Sequence, residues 1–207
     1  MKVYEKNKRK YNYIYQKFVM NRDYLLFTNK NNYIFQYLAG FRNQLGILNL
    51  NLFEVLLKKI VKIIYVFSIK KKRVLFLGVS DVCSKTFLLL SKQKNYSFIS
   101  SNCWVYGSLS NKEHVMNTSN HQKRSKKMVK WDVSTKPDLI VILTKNPKKD
   151  LIKEVNLLNV PVICLANDVS NTADTDFKVL SGENIERYLF LILCSLIKKK
   201  YVKNGYK

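Results

Sequence analysis

The chain is short of glycine and proline, with 6 and 3 in 207 residues. No G-x-G-x-x-G follows an apolar run, and no Walker lysine follows a glycine turn. The usual fingerprints of dinucleotide and nucleoside triphosphate binding are therefore missing. Histidine is scarcer still, with His114 and His121 the only 2. The cysteines, Cys83, Cys103, Cys164 and Cys194, form no C-x-x-C pair. A zinc site and a Ser/His/Asp triad are not expected, and neither is any cofactor. The cysteines read as free thiols in a reducing compartment, mostly packed as small hydrophobes. Long apolar runs are absent too. Residues 45–67 include Glu54, Lys58, Lys59 and Lys62, and residues 188–197 are too few to cross a bilayer. The N-terminus has neither the apolar core of a signal peptide nor the Ser/Arg pattern of a transit peptide.

The last deficit is negative charge. Against 37 Lys+Arg stand 14 Asp+Glu, for a net charge of +23. Self-repulsion of this size is normally tolerated because a polyanion neutralises it, which points to nucleic acid or an anionic membrane. Hydrophobic residues make up 47%, enough for a sizeable core. Lys, Asn, Ile, Tyr and Phe abound, and their codons are AT-rich. With no import signal visible, this suggests an organelle-encoded protein, mitochondrial first, with a plastid or an AT-rich bacterial cytoplasm as alternatives.

Residues 136–168 organise the rest. The β-branched run 139–143 suits a strand buried on both faces. Asn146 is the expected cap of a following helix, with Pro147 at its first position. Leu151, Ile152, Val155 and Leu158 form one apolar helical face. Asn159 is a left-handed stop, and 162–166 is a second buried strand.

Around this βαβ unit the chain reads as one α/β domain over residues 33–200. A basic extension (1–32) precedes it and a basic tail (201–207) follows. Gly40 and Gly46 punctuate the region before a short strand at 45–48, and Asn49 or Asn51 caps a helix over 52–67. That helix has an Asn51, Glu54, Lys58, Lys62 polar stripe and is otherwise apolar, as expected for packing on a sheet. A basic turn (70–73) leads to a strand over 73–79 and a helix opened by Ser80 or Asp81 and running to Lys92. Residues 97–100 form a strand and 102–111 a loop. Residues 112–131 read as an exposed or disordered basic insertion. A last strand at 177–180 and a helix over 181–200, with Tyr188 and Leu189 among its buried residues, complete the fold. The expectation is a Rossmann- or flavodoxin-like parallel sheet with helices on both faces.

Several residues have alternative readings. Gly78 opens a helix after a strand, where it is either a phosphate contact or a structural turn glycine. Asp168, Asp174 and Asp176 either hold a hard cation or solvate a loop. Trp104 either plugs the sheet edge or stacks on a partner. Arg42 and Asn43 either touch phosphate and sugar or fix a turn. The tyrosine-interleaved arm containing Lys8, Arg9 and Lys10, and the insertion containing Lys123, Arg124, Lys126 and Lys127, suit RNA phosphates.

Three blocks resemble one family in their order. They are Tyr33-Ile-Phe through Arg42-Asn43 to Leu50, then Trp104-Val-Tyr-Gly-Ser-Leu-Ser110-Asn111, then Pro137-Asp-Leu-Ile-Val-Ile-Leu with Glu154-Val-Asn-Leu-Leu-Asn-Val-Pro-Val-Ile. These resemble the signatures of the ribosomal protein S2 family over about residues 33–199. That family's second block has two glycines where this chain has Tyr106-Gly107. Its long helical hairpin is shortened here to 112–136, as in mitochondrial members. The resemblance implies a structural, non-enzymatic component on the solvent side of the small subunit, near the head–body junction. Its implied contacts are ribosomal RNA and neighbouring proteins, with messenger RNA positioned indirectly. It also puts Arg42, Asn43, Trp104, Ser110 and Asn111 among the candidate RNA contacts. The competing expectation is a nucleotide- or flavin-binding enzyme, which explains the sheet but not the charge. A protein lying on membranes is disfavoured because its long helices are too apolar around their circumference.

Overall fold

The computed structural model describes residues 25–27, 32–43, 45–80, 95–101, 129–130, 136–144, 147–166 and 175–180. It also describes Gln16, Trp104, Tyr106, Gly107, Leu109, Ser110, Ile185, Tyr188 and Leu189. The expected helix at 81–92, most of the basic arm and insertion, and the tail lie outside them.

Strands β1 (Leu25–Phe27), β2 (Leu38–Arg42) and β3 (Leu45–Leu48) form an antiparallel sheet in the order β1-β3-β2. A 3-10 turn, Asn32–Tyr37, precedes β2. β1 falls within the segment expected to be a basic extension, yet Leu25 pairs with Ile47. Gly40 and Gly46 lie within strands rather than at turns, and the β2–β3 register shifts between Leu38 and Gly40. A bulge beside a residue without a side chain is a common way to bend a strand.

Helix α1 spans Leu50–Ile69, longer than expected at both ends. Asn49 is its cap, with Oδ1 accepting the Leu52 N–H at 3.3 Å. Phe53, Leu57, Ile60, Val61 and Ile64 are buried. The polar stripe faces away from them and includes a 2.6 Å Glu54–Lys58 ion pair. Val55 is 63% exposed, so the helix buries one side rather than most of its circumference. The helix ends in a Schellman turn. The Lys72 N–H donates to the Phe67 carbonyl (3.0 Å) and the Lys71 N–H to the Ser68 carbonyl (3.1 Å). Lys71 takes the left-handed position at φ 55. Glycine normally fills that site, and an L-residue there costs roughly 1 kcal/mol.

The main sheet contains β4 (Val74–Val79), β5 (Tyr96–Ser100), β6 (Val129–Lys130), β7 (Leu139–Ile142), β8 (Val162–Ala166) and β9 (Phe177–Leu180). Its order is β6-β5-β4-β7-β8-β9. All neighbours are parallel except β6, which runs antiparallel to β5. The parallel sheet is the one expected from the apolar runs, and its five parallel strands have the 2-1-3-4-5 order of flavodoxin-like folds. The β6 pairing corrects one expectation. Part of the presumed exposed insertion folds back and covers the β5 edge, with Val129 opposite Ile99.

Side chains alternate between two cores, following the period of two along a strand. Val74, Phe76, Leu139, Val141, Ile163 and Leu165 pack with α1, and Ile185, Tyr188 and Leu189 lie in the same cluster. Leu75, Leu77, Ile140, Ile142, Cys164 and Ala166 pack with the second helix, α2 (Lys149–Asn156). Its start corrects the capping expectation. Lys148 is extended, occupies the N-cap position and makes no side-chain cap bond. Pro147 is buried, and Asp150 in the first turn supplies the negative charge that the helix dipole favours. Asn159 does adopt the left-handed conformation, at φ 49.

Two aspartates fasten the starting edge of the sheet. Asp138, just before β7, accepts the Arg73 N–H at 2.8 Å through Oδ2. Asp176, just before β9, accepts the Val162 N–H at 2.8 Å in the same way. Asp176 is thus tied to the edge opposite the end of β8. Asp168 and Asp174 lie outside the described residues, among which no cluster able to hold a metal occurs. No helix among the described residues is long and apolar enough to cross a membrane.

Candidate nucleic-acid interface

Beyond β5 the chain folds over the α2 face. Trp104 packs against the α2-side core and Leu109 enters it at 1% exposure. Tyr106 is 61% exposed and Ser110 faces solvent. The loop thus alternates between inward anchors and outward groups. Gly107 has φ 88, whereas Tyr106 has no positive φ. Gly107 therefore occupies a left-handed position that favours glycine, and a tyrosine is tolerated beside it.

The loop is held from below by Glu154, which is completely buried in α2. Oε1 accepts the Leu109 N–H at 2.6 Å and the Ser110 N–H at 3.1 Å, and lies 3.4 Å from Ser110 Oγ. One carboxyl oxygen thereby satisfies consecutive backbone donors, much as a capping side chain does at a helix end. Oε2 is buried without a hydrogen-bond partner, as is Trp104 Nε1. Sequence reasoning assigned Glu154 no role. The available signal was its position, three residues after Leu151 and four before Leu158, which places a charged residue on the apolar face.

The tip joining β2 to β3 carries Arg42 and Asn43, both exposed, with Asn43 in the left-handed region at φ 48. Asn43 thus fits the turn-forming role foreseen for it. Phe41, which precedes Arg42 in β2, meets Phe35 edge to face, with ring centres 5.6 Å apart and planes at 68°. Each ring is 48% exposed. This pair was not singled out from the sequence, because nothing in the run 33–42 marks these aromatics as outward-facing.

At the junction of β4 and β7, where open α/β sheets of this order place ligands, Gly78 packs closely against Thr144. Gly78 has φ 78, and a methyl group there would overlap Thr144 Cγ2. Gly78 therefore acts as the structural glycine of a close approach. Cys164 is buried, and its burial pushes the thiol up to about 12. This fits a packed core thiol rather than a reactive one.

Of the candidate RNA contacts, Arg42 and Asn43 sit on the antiparallel sheet, and Trp104 and Ser110 on the loop after β5. Trp104 adopts the plug arrangement. Lys8, Arg9, Lys10, Asn111, Lys123, Arg124, Lys126 and Lys127 lie outside the described residues.

A family model described as ribosomal protein S2 matches residues 27–135. The chain is 26% identical over 179 residues to small ribosomal subunit protein uS2 of Ehrlichia chaffeensis, covering 73% of this chain and 62% of that protein. It is 29% identical over 132 residues to the uS2 of Carsonella ruddii, covering 59% of each. It is 24% identical over 196 residues to uS2m of Marchantia polymorpha, covering 80% of this chain and 81% of that protein. The match to these two bacterial relatives thus spans less than two thirds of their length.

Proposed function

This chain belongs to the ribosomal protein S2 family, and on that premise we propose that it is a structural constituent of the small ribosomal subunit. It binds ribosomal RNA and neighbouring ribosomal proteins, positions messenger RNA only indirectly, and catalyses nothing. The observation that carries this reading is the family match over residues 27–135, which runs from the last residue of β1, across the loop held by Glu154, to beyond β6. The net charge of +23 supports it, because phosphate neutralisation gives affinity without chemistry. The close packing of Gly78 on Thr144 fits a structural turn glycine and gives no support to a flavodoxin-like enzyme.

The residues assigned to RNA are Arg42 with Asn43, Ser110 at the outer side of its loop, and the polar and basic groups Lys8, Arg9, Lys10, Asn111, Lys123, Arg124, Lys126 and Lys127. Trp104 supports the loop from within. The assigned location is the mitochondrial ribosome. The similarity to the Marchantia uS2m and the AT-rich residue usage favour it.

The test is sedimentation of a gentle mitochondrial lysate through a density gradient at low and high salt, following this protein. Travel with the small subunit at low salt is the expected result. A protein that stays at the top of the gradient at every salt overturns the reading, and one missing from the organelle overturns the location.

A further inference from the structure

The starting edge of the parallel sheet carries a basic rim. Lys70, Lys71, Lys72 and Arg73 are consecutive and all exposed. Lys136, also exposed, stands two residues before Asp138, whose side chain is bonded to the Arg73 amide. The described carboxylates on this edge are Asp138 and Asp176, and each is engaged with a strand amide. Asp138 also has Lys72 Nζ at 3.7 Å. Among the described residues the rim thus carries more cations than carboxylates.

These charges are held on a fixed frame. The Schellman turn fastens Lys71 and Lys72 to the last turn of α1, and Asp138 fastens Arg73 to β7. Lys71 keeps a long cationic side chain at φ 55, where glycine would close the same turn without strain. The α1 dipole does not require that residue, since Lys70 and Lys72 flank the same carbonyl end. A strained position held by a charged residue is a reason to look for a ligand. Of the described aromatics at this edge, Tyr96 is buried and Phe177 is half-buried with Lys59 Nζ 5.0 Å from its ring centre. The described part of the rim therefore offers charge without an exposed stacking platform, which suits backbone contacts rather than base readout.

We propose that Lys70, Lys71, Lys72, Arg73 and Lys136 form a preorganised site for the phosphate backbone of double-helical RNA. It is separate from the Arg42 tip and the loop after β5. The proposal rests on the ribosomal reading for the identity of the RNA, but the site itself can be tested without it.

The experiment compares the full-length protein with K70Q/K71G/K136Q, a variant that leaves Lys72, Arg73 and the Asp138 interactions in place. Binding to a purified RNA duplex is followed across a salt series, with an unstructured oligouridine as the single-stranded control. The variant should melt no lower than the parent, because glycine relieves the left-handed strain. Its duplex-binding salt slope should fall by about three, roughly one for each phosphate that is no longer neutralised. Its association with small subunits should break at lower salt. An unchanged slope overturns the site, and equal losses on duplex and oligouridine overturn its assignment to double-helical RNA. Weakened subunit association with an unchanged slope gives the rim to a protein neighbour and also overturns the proposal. If the parent protein itself never travels with small subunits, the ribosomal reading fails while the duplex measurement still decides the site.

Discussion

Glu154 Oε1 lies 2.6 Å from the Leu109 amide, although 45 residues separate the two. That hydrogen bond fixes the loop after β5 to the helix that crosses between β7 and β8. Glu154→Ala should therefore do two things at once. It strands two backbone donors and leaves a void beside Leu109, costing about 2–4 kcal/mol in urea unfolding. Glu154→Gln keeps an acceptor at the same place and should cost about 1 kcal/mol. Equal losses for the two variants would mean that side-chain volume, not hydrogen bonding, holds the loop.

Gly78 is a second point where one atom decides. Gly78→Ala combines a left-handed backbone with overlap against Thr144 Cγ2, and should cost about 2–4 kcal/mol. Adding Thr144→Ser removes the overlapping methyl but not the backbone strain. The double variant should recover part of the loss in a thermal melt. No recovery would show that backbone strain alone accounts for the defect.

The two edge aspartates should differ in weight. The Arg73 amide is exposed and water can replace Asp138, so Asp138→Ala should cost about 0.5 kcal/mol. Val162 is 2% exposed, so Asp176→Ala should cost about 1–2 kcal/mol. Chemical denaturation of both variants checks the order.

Cys164 sets an alkaline limit. Its thiol titrates near 9.0 when unfolded and at about 12 when folded. Above the lower value the unfolded chain releases a proton that the native state keeps. Stability is thus complete below that pH and falls as pH rises toward the folded value, by about 1.4 kcal/mol per unit. Cys164→Ala should flatten this limb relative to the parent, as read by urea midpoints between about pH 8.5 and 10. Below about pH 8 the native thiol should resist alkylation, monitored on the peptide containing it.

The parts of this fold that were legible in the sequence are those whose signal is local. The runs at 139–143 and 162–166 are apolar at every position because both faces of β7 and β8 are covered, by α1 and by α2. Asn49 and Asn159 were readable because each acts through its own backbone neighbourhood. Lys148 was not, since it sits at the cap without a side-chain bond and so carries no capping signal in its residue type. β6 has two residues and takes its structure entirely from the partner edge, so no periodicity could announce it. Glu154 and the Phe35–Phe41 pair escaped for a related reason. Their roles depend on distant partners and on exposure, and neither is written in residue type alone.

The strand order also sets a timetable. β4 is central, and its neighbour β7 begins 65 residues later, with Val74 opposite Leu139. On a chain emerging from the N-terminus, β4 cannot gain that partner until the later segment has been made. The meander of β2 and β3, by contrast, pairs residues close in sequence, with Arg42 opposite Leu45. It and α1 can form, and β5 can pair one edge of β4, while the other edge of that wholly apolar strand still waits for β7. Nascent chains that end between β4 and β7 are thus the ones most exposed to aggregation, and the ones with most need of a chaperone.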